Sequence, residues 1–232
     1  MREEPRVDLW HFRLDVPGEE LEMARAILSA DEIARSSRFV RPRDRDRFAV
    51  ARGRLRMVLG AELGVRAGSV AFRYGMRGKP DLAPPLDRSG LRFSLSHSAD
   101  RALVATTRHR AIGADLEALR DVRSGRDLAR RIFAPQEFEV LDRLEGEAWR
   151  RAFFRCWTLK EAWLKGRGDG LTFPTRKFTV AIGPGEPARL LHVEGEPDAP
   201  SRWSLREARA PEGFLAAVAV EGPVGRLVDR SG

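Results

Sequence analysis

Two carboxylates two positions apart are the first residues able to do chemistry. In I-G-A-D-L-E, Ile112 to Glu117, Asp115 and Glu117 sit at i and i+2 of a stretch patterned as a strand, and such residues face the same side. Neighbouring anions repel unless water or a cation separates them. Hard oxygen donors of this kind suit Mg2+, which takes one or two carboxylates along with phosphate oxygens and water. A solvated strand end is the plainer alternative, since acids are common there.

A second group lies in F-R-C-W-T-L-K-E-A-W-L-K-G-R-G-D-G-L, Phe154 to Leu171. At helical spacing Trp157, Glu161 and Leu164 share a face, and Lys165 falls four residues beyond Glu161. Either this is an ordinary surface Glu–Lys pair, or Glu161 is a third metal ligand or a base and Lys165 a phosphate contact. Gly166, Gly168 and Gly170 would end the helix. They follow it, so the helix dipole has the wrong sign for a phosphate loop.

In F-S-L-S-H-S, Phe93 to Ser98, the apolar residues face a core and Ser96, His97 and Ser98 remain as polar groups at the strand's end. A serine-protease-like triad does not fit, because Ser96 and His97 point to opposite faces and no G-x-S-x-G elbow is present. Lys79, in the turn-forming Y-G-M-R-G-K-P-D-L, can meet a phosphate or be solvated.

Lysine itself is rare. The chain has 38 arginines and only four lysines, Lys79, Lys160, Lys165 and Lys177. Three of the four fall in the segments above, where a compact ammonium has a use that a guanidinium lacks.

The elements that must hold these groups follow from periodicity. Strands are expected at Val7–Leu14, Ser69–Tyr74, Leu91–Ser96, Ala102–Thr107 and Ala111–Glu117, and after residue 176 at Lys177–Ile182, Arg189–Val193, Trp203–Ala208 and Phe214–Val220. Helices are expected within Gly18–Phe39, with Asp31 as a cap, and at Asp44–Leu63, Asp127–Leu144 and Ala148–Lys165. On the Asp44–Leu63 helix, Phe48, Ala51, Leu55, Val58 and Leu59 make the apolar face and the arginines the outer one. Helices followed by strands in each part suggest an α+β fold of two halves, residues 1–108 and 109–232, with antiparallel sheets.

Composition bounds the class. The chain has 232 residues, 42% hydrophobic and 33% charged, enough for a core without a disulfide, and it holds one cysteine, Cys156. No run approaches the roughly 18 apolar residues of a membrane span, and the N-terminus is not patterned as a secretory signal. A cytoplasmic protein with no membrane partner is expected. The net charge of +8 invites nucleic acid, but the arginines are interleaved with acids and form no tail or aromatic-lined stripe. No nucleic-acid partner is expected; an acidic partner or a phosphorylated ligand fits.

Taken in order, G-K-P (Gly78–Pro80), F-S-L-S-H-S, G-A-D-L-E (Gly113–Glu117) and W-T-L-K-E-A-W-L-K-G-R-G-D-G-L (Trp157–Leu171) resemble the motifs of 4′-phosphopantetheinyl transferases of the surfactin-synthetase-activating type. R-S-S-R-F, Arg35–Phe39, is similar to a basic element of that family, and the resemblance spans roughly residues 35 to 221. Ser94 and Ala114 depart from it, at positions of packing. The resemblance implies a monomer of two pseudo-twofold α+β halves with coenzyme A in the cleft between them. It also implies transfer of phosphopantetheine to a serine of an acyl or peptidyl carrier protein, releasing 3′,5′-ADP. By position it makes Asp115, Glu117 and Glu161 the Mg2+ ligands and Glu161 and Lys165 the catalytic pair. Lys165 and Lys160 would meet phosphate oxygens, Ser96 and His97 the phosphates of the nucleotide, Arg35 and Arg38 its 3′-phosphate, and Lys79 the adenine side. A different Mg2+-dependent phosphoryl-transfer enzyme using the same carboxylates is the competing reading.

Overall fold

A strand of alternating faces begins the structure, a computed structural model that describes residues 6–75, 78–168 and 173–231. In β1 (Arg6–Arg13), Val7 and Leu9 enter one core cluster and Trp10 and Phe12 pack against another. Two short helices follow, α1 (Gly18–Ala26) and α2 (Ala30–Ser36). The N-cap of α2 is Ser29, whose backbone N–H donates to Glu32 at 3.1 Å; Asp31, the expected cap, lies inside the helix. Helix α3 (Pro42–Leu63) starts on a proline preset for the first turn and stops at Gly64, which takes the left-handed φ of 67°.

The face of α3 bearing Leu55, Val58 and Leu59 covers Leu91, Phe93 and Val104. Those belong to β4 (Leu91–Ser98) and β5 (Arg101–Arg108). Between them and α3 a hairpin of β2 (Phe72–Tyr74) and β3 (Pro80–Leu82) is added. The strand expected over 69–74 is thus shorter, because residues 67–69 form a helical turn, and β3 occupies a segment expected to be loop.

The second half opens with β6 (Ile112–Ala118), then α4 (Gly125–Ile132), α5 (Pro135–Asp142) and α6 (Gly146–Arg167). One helix was expected where α4 and α5 stand. The break falls at Ala134, held extended at ψ 151° by Pro135 behind it. β7 (Phe178–Val180), β8 (Leu190–Val193), α7 (Ala199–Arg202), β9 (Trp203–Ala208), β10 (Phe214–Glu221) and β11 (Arg226–Asp229) complete the chain. Helix α6 buries Cys156, Leu159 and Trp163 against Phe178, Trp203, Ala217 and Ala219.

The two larger sheets are ordered β11-β1-β5-β4 and β6-β10-β9, each covered by one 22-residue helix, and β2-β3 and β7-β8 form two-stranded sheets beside them. This is the mixed α+β architecture expected, with one difference. β11 leaves the second half to pair with β1, and it does so in parallel, Arg226 opposite Arg6. Among the described residues no helix is long and apolar enough to cross a membrane.

Candidate active site

The edge strands β4 and β6 lie side by side where the two sheets meet, and the chemistry gathers there. Glycine makes the approach possible. A Cβ on Gly113 of β6 would overlap the Ala162 carbonyl and the Gly166 backbone of α6, and one on Gly166 would strike the Trp203 ring. With hydrogens in both places the last turn of α6 rests directly on β6, and Lys165 reaches Asp115. Gly166 therefore lies inside the helix; the residue that ends it is Gly168, at a φ of 80°. Gly170, the third expected terminator, lies outside the described residues, as do Asp169, Leu171, Met76 and Arg77 of the motifs.

Lys165 Nζ donates to Asp115 Oδ1 at 2.5 Å and to Ser96 Oγ at 2.9 Å. Asp115 is buried, and among the described residues its other oxygen, Oδ2, has no partner; Oε1 of Glu161, one turn before Lys165, is likewise buried and unpartnered among them. Burial, with the anions of Asp115 and Glu117 adding to it, pushes the Glu161 carboxyl up to about 7 against the pull of Lys165. Glu117 is also raised, by burial and by Asp115, though Ser98, Arg120 and Trp157 draw it back. Ser98 Oγ donates to Glu117 Oε2 at 2.8 Å and the Trp157 indole to Oε1 at 3.3 Å.

A cavity of about 280 Å³ lies against Lys165. Arg35 stands at its rim, its guanidinium 5.6 Å from the Phe48 ring centroid. His97 stands in the wall, its pKa held below the ordinary histidine value by the surrounding protein, with the Lys165 and Arg35 cations acting the same way. Glu117 lines a second depression, of about 350 Å³, with Val122, Leu128, Phe153 and Trp157 as apolar walls and Arg120 and Arg123 beside them. The carboxylates thus separate a cation-ringed cavity from an apolar groove edged with arginine.

Four expected site residues are placed differently. Lys160 is fully buried on the opposite side of α6, donating to the carbonyls of Phe178 (2.5 Å) and Thr175 (2.8 Å) and paired with Glu137 at 2.8 Å. It cannot meet a ligand in the cavity. The stem of Lys79 does line the cavity, but Nζ donates inward to the carbonyls of Lys165 (2.5 Å), Ile112 and Gly166 (both 3.1 Å), tying its turn to the end of α6. Burial brings this ammonium down to about 8. Ser96 lies beneath the cavity wall, not in it, and Arg38 is exposed and outside the lining.

Sequence reasoning missed Arg52 and Tyr74 in the cavity wall. Arg52 and Arg56 were expected on the solvent face of α3; both are buried, held by the Glu32 carboxylate at 2.6 Å. Arg52 lies 4.5 Å from the Phe72 centroid and donates to the Tyr74 hydroxyl at 3.1 Å. The signal was available: Phe48, Arg52 and Leu55 follow helical spacing, and Glu32 lies on the neighbouring helix.

Residues 111–219 match the model of the 4′-phosphopantetheinyl transferase superfamily. The chain is 45% identical over 216 residues to 4′-phosphopantetheinyl transferase HetI of Nostoc sp., covering 93% of this chain and 88% of that one. The chain belongs to the 4′-phosphopantetheinyl transferase family. Another member, 4′-phosphopantetheinyl transferase Sfp of Bacillus subtilis, is 24% identical, covering 88% of this transferase and 87% of its own length. Among solved structures, holo-[acyl-carrier-protein] synthase of Thermotoga maritima aligns with a TM-score of 0.39 at 18% identity, over 48% of this chain and 62% of that one.

The donors at the seam of this transferase fit a divalent cation. Among the described residues no three acidic, histidine or cysteine side chains form a ready cage. Even so, two buried carboxylate oxygens without partners, on Asp115 and Glu161, are hard donors that a cation would satisfy.

Proposed function

We propose that this chain transfers the phosphopantetheine of coenzyme A to a serine of an acyl or peptidyl carrier protein, releasing 3′,5′-ADP, as a Mg2+-dependent monomer of the surfactin-synthetase-activating type. The observation that carries the reading is the meeting of Lys165, Asp115 and Glu161 between a cation-ringed cavity and an apolar groove. Membership of the family, alignment with Sfp along nearly the whole chain, and two helix-on-sheet halves in one polypeptide support the type.

Arg35 and His97 are suited to hold the phosphorylated nucleotide end, and Lys165 faces the pyrophosphate. Asp115, Glu117 and Glu161 would hold Mg2+, which when bound supplies charge neutralisation at the pyrophosphate. The carrier serine comes from the groove side, where Arg120 and Arg123 suit an acidic partner. Its Oγ forms a bond to the β-phosphorus as the bond to the bridging oxygen breaks. Lys165 stabilises the charge collecting on that oxygen, and the serine proton passes to the Glu161 carboxylate.

Mass spectrometry of a carrier protein incubated with coenzyme A, Mg2+ and the enzyme is the test. The wild-type chain adds one phosphopantetheine mass; Asp115→Ala and Glu161→Ala lose at least about a hundredfold in rate with the fold retained. No mass gain across fatty-acid, polyketide and peptide carriers, or coenzyme A consumed without any carrier, overturns the assignment.

A further inference from the structure

The strands β4 and β6 belong to different sheets and do not share a backbone ladder. Buried N–H groups on a strand edge must still find acceptors. β6 spends one edge on β10; on the other, the N–H groups of Ala114, Leu116 and Ala118 point at β4. Each donates to a serine hydroxyl: Ala114 to Ser94 at 2.9 Å, Leu116 to Ser96 at 3.2 Å and Ala118 to Ser98 at 3.1 Å. Residues at i, i+2 and i+4 of a strand project on one side, so three side-chain oxygens stand in for three missing carbonyls.

This ladder dictates where the hydroxyl protons go. A serine hydroxyl has one hydrogen and two lone pairs. On Ser96 both lone pairs are taken, by the Leu116 N–H and by the Lys165 ammonium, so its hydrogen goes to Asp115 Oδ1 at 2.9 Å. Ser98 accepts from Ala118 and sends its hydrogen to Glu117 Oε2 at 2.8 Å. The same hydroxyls that close the seam therefore hold one oxygen each of Asp115 and Glu117. On Asp115 this leaves Oδ2 as the oxygen without a partner among the described residues.

We propose that Ser96 and Ser98 are positioning residues, which lock the two halves at the seam and set the carboxylates of Asp115 and Glu117 for a divalent cation. This rests on the reading of those carboxylates as cation ligands. Groups that orient metal-binding carboxylates in this way contribute about 10–100-fold to metal affinity in other proteins.

The test is Mn2+ binding to the full-length chain in saturating coenzyme A, followed by the electron paramagnetic resonance signal of free Mn2+. Ser98→Ala weakens binding about tenfold, whereas Ser94→Ala, which touches the seam but no carboxylate, lowers the melting temperature and leaves the Mn2+ affinity in place. The isosteric pair Ser98→Thr and Ser98→Val separates hydroxyl from bulk: threonine binds Mn2+ as serine does and valine behaves as alanine. Wild-type affinity in Ser98→Ala and Ser98→Val, while Glu117→Gln is impaired, overturns the positioning role and leaves the carboxylate reading standing. No Mn2+ uptake by the wild-type chain, or none lost in Glu117→Gln, overturns the carboxylate reading and the proposal with it.

Discussion

Lys160 and Glu161 are neighbours in sequence and opposites in role. Successive helical residues are about 100° apart, so a helix that turns Glu161 to the seam turns Lys160 into the core, onto Glu137. Removing one partner of a buried ion pair strands the other. Lys160→Met should therefore cost about 3–5 kcal/mol in chemical denaturation, and adding Glu137→Gln should restore much of it; a phosphate contact would show instead as a raised KM for coenzyme A at unchanged stability. Glu161 sets a pH dependence. In the metal-free chain its pKa is raised from 4.5 to about 7, so the folded state binds this proton more tightly than the unfolded one. Its contribution to stability is complete below pH 4.5 and is lost as the pH climbs to about 7. Glu161→Gln cannot ionise, so in EDTA its melting temperature should gain on the wild type across that window and hold the advantage above it. The acid residues and Lys165 were legible because type and spacing carry them. The direction of Lys160 and the burial of Arg52 were not, because a long cationic side chain is ambiguous until its neighbours across space are known.

At the scale of elements, the seam between α6 and β6 rests on Gly113. Gly113→Ala forces a methyl into the Ala162 carbonyl and the Gly166 backbone, groups that cannot swing aside as a side-chain tip can. Such overpacking costs typically 1–3 kcal/mol, occasionally more, and here it also moves Lys165 away from Asp115. The expected outcome is a lowered melting temperature together with a disproportionate fall in turnover, whereas Gly168→Ala, at the C-terminal end of the helix, meets only the Lys79 stem at an ordinary 3.7 Å and strains its own φ. Both long helices were legible from their apolar spacing. The split of α4 from α5 hung on Pro135, whose effect on Ala134 outweighed a continuous periodic pattern. β3 was hidden because three residues beside prolines carry no alternation to detect.

At the scale of the whole molecule, β11 ties the end of the chain to its beginning. Arg230 bonds Asp8 at 2.7 Å and donates its backbone N–H to the Leu9 carbonyl. A chain ending at residue 222 should melt lower and aggregate more readily, since β1 is then an uncovered edge; unchanged melting and solubility would show the tie to be idle. This pairing was illegible in the sequence: a four-residue strand whose partner lies more than two hundred positions away leaves no local trace. β11, from the expected second half of residues 109–232, pairs with β1 of the expected first half, residues 1–108.

Because β1 and β11 run in parallel, the start of one lies against the start of the other, and Ser231 accepts a hydrogen bond from the His11 backbone. Residues 6 and 231 are thus about 17 Å apart along adjacent strands, a gap that a short flexible tether spans. Such a tether would let the polypeptide be closed into a ring and reopened at the exposed turn around Gly183 and Gly185, which lies outside the cavity and the groove. The order in which this protein is synthesised is then separable from the shape it takes.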